Sequence, residues 1–163
     1  MPQLKALKRY LKATDFTAAQ TWALLAWCNA KGGDEFRLSF LSIGGSRPSN
    51  FDLFDSVLAP FAQGSGVGVG QLDERKSDPS VVQCWQLTQA SIAVLKSLLP
   101  EGLFQRPSYS EEGWLEDLVV LRSGNPFLAI VSSEGEAVLE LSSIELHELE
   151  SAGVVLHGQG SWI

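Results

Sequence analysis

Apolar positions along the chain switch repeatedly between a helical and a strand-like period, and the switches mark out its elements. Leu4, Leu7 and Leu11 recur at helical spacing, with Lys5, Lys8, Arg9 and Lys12 on the other faces. That predicts a short amphipathic helix with a basic exterior. Thr17 and Gln20 form a capping box, in which each side chain satisfies a backbone N–H of the other. The helix it starts runs through WALLAWCNA to Gly32 and Gly33, with Ala19, Trp22, Ala23, Ala26 and Trp27 as its expected packed face. Phe36, Leu38 and Phe40 alternate with Arg37 and Ser39, the period of a strand. Ser49 and Asp52 then signal another helix, with an apolar stripe of Phe51, Phe54, Val57, Leu58 and Phe61. Pro60 ends it near Ala59, because proline lacks the N–H that a helix interior needs.

Gly64, Gly66, Gly68 and Gly70 alternate in the next segment. No G-K-[ST] follows and the spacing is not G-x-G-x-x-G, so a strand closely approached by another backbone fits better than a phosphate loop. The tip DERKSDPS leads to a return strand, Val81 to Leu87, with Cys84 and Trp85 on opposite faces. Thr88 caps a helix whose Ile92, Leu95 and Leu99 share a face, ended by Pro100 and Gly102. After Trp114 the period changes again. LEDLVVLRS, PFLAIVSS and AVLELS read as three short strands, and their short turns predict an antiparallel meander. Ser142 and Glu145 make a second capping box, Ala152 and Gly153 close that helix, and VVLHGQGSWI reads as a last strand or a docked tail. The expected fold is α+β: residues 1–100 as one part, 101–113 as a connector, and 114–163 as a small acidic meander with one helix.

The order of the first hundred residues, together with VVQCWQLTQASIAVLKSLL and its Leu87-Thr88 step, resembles a winged-helix domain. The likeness covers about residues 1–100 by element order and 66–99 by local pattern. It implies that DERKSDPS is a wing tip and that Ser49–Ala59 reads the DNA major groove. The chemistry of that helix points elsewhere. It offers Asp52, Asp55 and Ser56, whereas base and phosphate contacts call for Arg, Lys, Asn or Gln. Lys5, Lys8, Arg9, Lys12, Arg75 and Lys76 are the residues left to contact a nucleic-acid backbone. Winged-helix folds also serve as protein-binding modules.

Charge changes the picture more than overall composition does. The chain has 163 residues, 45% apolar and 19% charged, a globular balance with enough material for a substantial core. Its net charge of −7 is unevenly divided: residues 1–100 hold ten Lys/Arg and eight Asp/Glu, residues 101–163 two and eleven. Tyr109, Glu111, Glu112, Trp114, Glu116 and Asp117 combine aromatic anchors with carboxylates, a pattern suited to a basic protein partner. An adaptor, a sensor module and a toxin-neutralising protein all fit. A DNA-binding regulator and an enzyme with a dispersed site remain alternatives, and a homodimer stays open.

Little catalytic chemistry is visible. There are two histidines and two cysteines, no C-x-x-C pair and no G-x-S-x-G, so no metal and no cofactor is expected. The carboxylate pairs Glu111-Glu112 and Glu116-Asp117 read as solvated charge. The most apolar run, Phe16 to Ala30, is too short and too polar to span a bilayer, and the N-terminal stretch lacks the apolar core of a secretory signal. Cys28 and Cys84 read as buried thiols, and a cytoplasmic protein is expected.

Overall fold

Strands and helices alternate in the order β1 (Leu7–Lys12), α1 (Ala18–Ala30), β2 (Glu35–Ser42), α2 (Ser49–Leu58), β3 (Ala62–Val67), β4 (Val81–Gln86) and α3 (Gln89–Leu98). They continue as β5 (Gly113–Arg122), β6 (Asn125–Val131), β7 (Glu136–Leu141) and α4 (Ser143–Ser151). The computed structural model describes residues 7–42, 49–67, 81–105 and 113–154, with 40–42, 49–52, 64–67, 81–82 and 113–116 described by backbone alone. The strands form one antiparallel sheet in the order β1-β7-β6-β5-β2-β4-β3. The fold is α+β, and β5–β6–β7 is the expected meander followed by its helix.

The first element is a strand where helical spacing predicted a helix. Leu7–Lys12 pairs along its length with β7, from Leu7↔Leu141 to Lys12↔Glu136. Leucines at 4, 7 and 11 satisfy a helical period, but so short a helix is marginal on its own. As a strand, the segment buries Leu11 and sets Lys8 opposite Glu140 and Lys12 opposite Glu136, favourable cross-strand pairs. Long-range pairing overrides the local preference. The sheet also runs across the 101–113 segment: β2 pairs with β5, and β1 with β7, so strands from both sides of the expected connector are neighbours.

Both capping boxes read from the sequence form, and a third, between Thr88 and Ser91, joins them. The Thr17 hydroxyl accepts the Gln20 N–H at 3.2 Å while Gln20 Oε1 accepts the Thr17 N–H at 2.8 Å. Thr88 pairs with Ser91 in the same way, and Ser142 with Glu145. Pro60 lies in a single 3-10 turn, Ala59–Phe61, directly after α2 ends at Leu58.

All four helices feed one core on one face of the sheet. Leu24, Leu25 and Trp27 of α1, Phe54 and Leu58 of α2, Ile92 and Leu95 of α3 and Leu149 of α4 join sheet residues such as Phe36, Trp85, Val120 and Leu128. Phe36 and Trp85, directly paired across β2 and β4, stack with centroids 5.3 Å apart. Trp85, Leu87, Ile92 and Leu95 are buried, which makes the strand-to-helix stretch a scaffold. Asn29 fastens α1 to its end, donating to the carbonyl of Leu87 at 3.0 Å. On the opposite face Val119, Leu121 and Ala129 form a second, smaller buried cluster.

Two packed faces differ from expectation. In α1 the buried side is Thr21, Trp22, Leu24, Leu25, Trp27 and Cys28, while Ala19, Ala23 and Ala26 face solvent. The helix carries no charged residue, so polarity gives no signal for its orientation, and burying the larger side chains removes more apolar area from water. In α2, Val57 is exposed beside buried Phe54 and Leu58.

Candidate functional site

Two bulges shape the pairing of β5 with its neighbours, one at each end of the β5–β6 ladder. In β6, Val120 pairs with Leu128 but Leu121 pairs with Pro126, so Phe127 is an extra residue. In β5, Asp117 and Leu118 together oppose Leu38, and Asp117 takes a left-handed φ of 57°. Asp117 Oδ1 accepts the Ser132 N–H at 2.9 Å, and the Asp117 N–H donates to the Ser132 hydroxyl at 3.0 Å. This reciprocal clamp ties β5 to the end of β6. Asp117 therefore has architectural work beyond the surface patch it was expected to join.

The bulged Phe127 lies under a cation. The Arg122 guanidinium sits 3.8 Å from the centre of the Phe127 ring, and Nη1 donates to Glu145 Oε1 at 2.6 Å and to the Lys31 carbonyl at 3.3 Å. Glu145 is shared, because its other oxygen accepts the Ser142 N–H at 2.8 Å in the capping box. Partial burial alone would raise the Glu145 carboxyl. Hydrogen bonds from Arg122 and Ser142 and the charge of the guanidinium outweigh it and hold the carboxyl below its ordinary value. Lys31, just past the end of α1, pairs with Glu148 of α4, the helix that also carries Glu145. Helix α4 is thus anchored to β5 and to α1 by two ion pairs, and the packing between them is tight. A Cβ on Gly33 would lie 2.7 Å from the Cys28 carbonyl and 2.9 Å from a Val120 methyl.

Just beyond Arg122, β6 and β7 part. Their ladder ends at Leu128↔Leu139, since Phe127 bulges out and Pro126 has no N–H to extend it. The gap is an open pocket of about 420 Å³ lined by Arg122, Ser123, Asn125, Pro126, Glu140 and Leu141. No short motif encodes it. Pro126 within a strand was the one local sign of an interrupted ladder.

The expected site residues fall into three groups. Tyr109, Glu111 and Glu112, with Lys5, Arg75 and Lys76 of the basic set, lie outside the described residues. Trp114 and Glu116 occupy β5 opposite Leu41 and Ser39 of β2, which places their backbone within the sheet. Lys8, Arg9 and Lys12 share β1, where Lys8 and Lys12 face carboxylates of β7. The two basic residues expected to reach toward phosphate therefore have acidic neighbours.

Neither thiol is activated. Burial drives Cys28 far above its ordinary range, against the opposing charge of Arg122. Cys84 is also raised, by burial and by nearby Glu35, with Arg37 opposing. Both cysteines are free. Among the described residues no three His, Cys, Asp or Glu side chains converge as metal ligands, and no helix is long and apolar enough to cross a membrane. No protein-family model, curated protein or solved structure matches the chain.

Proposed function

We propose that the chain is a non-enzymatic protein-binding or regulatory module that takes a basic protein partner on the acidic surface of its C-terminal half. One observation carries this reading. Arg122, one of only two cations among residues 101–163, is held by Glu145 inside the fold, which leaves the half's acidic surplus to the surface. Glu101 and Glu150, both exposed, belong to that surplus, whereas Glu136 and Glu140 stand opposite Lys12 and Lys8. Complementary charge of this kind speeds encounter and rejects acidic competitors. Two free thiols suit a reducing compartment, so we assign the module to the cytoplasm.

The test is fluorescence anisotropy with labelled 12-residue peptides, Lys/Arg-rich or Asp/Glu-rich, at low and at physiological salt, with duplex DNA as a further probe. The basic peptide binds, salt weakens it, and the double substitution Glu112→Lys, Glu116→Lys weakens it further while circular dichroism is unchanged. Equal binding of the basic and acidic peptides overturns the reading. Salt-sensitive binding of the duplex alone transfers the function to nucleic acid.

A further inference from the structure

We propose that the outer edge of β3 pairs with the same strand of a second copy of this chain, antiparallel about a twofold axis, so that two seven-stranded sheets join into one. The inference goes beyond the acidic-surface reading and does not depend on it.

The two margins of the sheet differ in chemistry. β1, at one margin, carries Lys8, Arg9 and Lys12 among its six residues. Long cations on an edge strand keep other strands from adding to it. β3, at the other margin, reads AQGSGV and carries no charge. Among the described residues it pairs with β4 alone, which leaves the backbone N–H and C=O groups of its other side to an incoming strand. Its one irregularity lies at the start, where Gln63 has no counterpart between Ala62↔Trp85 and Gly64↔Cys84. Gly64 to Val67 keep an unbroken register, so no bulge turns that part of the edge away.

The surface leading into β3 has the composition of an interface. No residue from Ser56 to Leu72 carries a charge, although acids and bases make up 19% of the chain. Charge returns only at Asp55 and Asp73, on either side of the run. Leu53 is 57% exposed and Val57 39%, one turn apart on α2, and exposed Ala59, Pro60 and Ala62 carry the apolar strip on to the strand. Ile144 is the other large apolar side chain left exposed among the described residues, so two of the three lie here. Depletion of charge and exposure of apolar groups together mark the centre of a protein–protein contact.

Charge also decides which partner fits. A charged strand finds no counter-charge on β3, whereas a second β3 brings none. The obstacle to self-association is the net charge of −7, and the sheet order removes most of it. The acidic surplus belongs to residues 101–163, whose first strand, β5, lies three strand spacings from β3, about 14 Å. That exceeds the Debye length of about 8 Å at physiological ionic strength, so the acidic parts of two copies are screened from each other. An antiparallel twofold pair also closes, because each β3 uses the edge it has left.

The experiment is sedimentation velocity on the full chain from about 1 to 200 µM, the range in which a contact of modest area associates, with a ¹H–¹⁵N dilution series alongside. A dimer forms as concentration rises, and the amide signals of Gly64, Ser65, Gly66 and Val67 shift with it. Salt strengthens the dimer, because it screens the residual repulsion between two acidic chains. Salt weakens the binding of a basic peptide, so this association and the acidic-surface reading stand or fall separately. An axis near the middle of β3 brings position 65 of each copy close to its counterpart. Ser65→Lys and Val57→Lys therefore each weaken the dimer by about tenfold or more, with circular dichroism unchanged. Lys8→Ser, at the opposite margin, leaves the dimer as it was. A monomer throughout the range, or a dimer indifferent to both Ser65→Lys and Val57→Lys, overturns the proposal. So does growth past the dimer, the mark of head-to-tail pairing between β3 and β1.

Discussion

Replacing Arg122 with methionine tests the anchoring of α4 most directly. The guanidinium makes a charge-assisted hydrogen bond to Glu145, caps the ring of Phe127 and donates to the Lys31 carbonyl. The side chains of Arg122 and Glu145 keep 31% and 21% of their exposure, so solvent screens the pair and its contribution is about 1 kcal/mol. The stacked ring adds about 0.5–1 kcal/mol. Arg122→Met therefore costs about 2 kcal/mol, a large share of the stability of an ordinary domain. Urea unfolding at pH 7 of the wild type, Arg122→Met, Glu145→Gln and the double variant yields a coupling energy of about 1 kcal/mol between the two positions.

Acid supplies a second readout of the same pair. The Glu145 carboxyl is held below its ordinary value of 4.5 in the folded chain. Its stabilising contribution is whole above about 4.5 and disappears as pH falls through the lower folded value, because the unfolded chain takes up the proton first. Arg122→Met flattens that part of the stability profile. A coupling energy within 0.3 kcal/mol of zero (about the limit of additivity for independent sites), or an acid profile identical in the variant, would refute the assignment.

Other consequences can be measured independently. Gly33→Ala destabilises by about 1–3 kcal/mol in the same urea assay, since the obstructing Cys28 carbonyl is backbone and cannot swing aside; wild-type stability would show that the loop after α1 yields. Cys28 stays unmodified by iodoacetamide at pH 8 in the folded chain and reacts in urea, as mass spectrometry of its peptide would report. Rapid native labelling at Cys28 would contradict its burial.

Elements whose cause is local were legible in the sequence. Thr17–Gln20 and Ser142–Glu145 satisfy their own backbone within one turn, so both helix starts could be read without tertiary structure. The meander was legible too, because glycine and serine turns separate runs of strand length. Elements whose cause is distant were not. Leu7–Lys12 has helical spacing and becomes a strand through β7, a partner at the other end of the chain. The buried side of α1 was obscured by the absence of charge on any face. The pocket depends on a bulge at Phe127 and on where two ladders stop, neither of which a short motif records.

Pairing of β1 with β7 also sets the order in which the molecule can be completed. Each residue of β1 waits for a partner more than 120 positions later, so during synthesis the first strand emerges long before its neighbour exists. Until β7 arrives, α1, α2, α3 and the β2–β4–β3 portion can assemble, but one margin of the nascent sheet stays open. Contacts closed over such distances slow folding, and an open margin invites pairing with other chains. A ribosome that stalls before β7 would therefore release an aggregation-prone intermediate, whereas in the finished chain that margin is covered by β7 and then by the chain's own first strand, which becomes the edge.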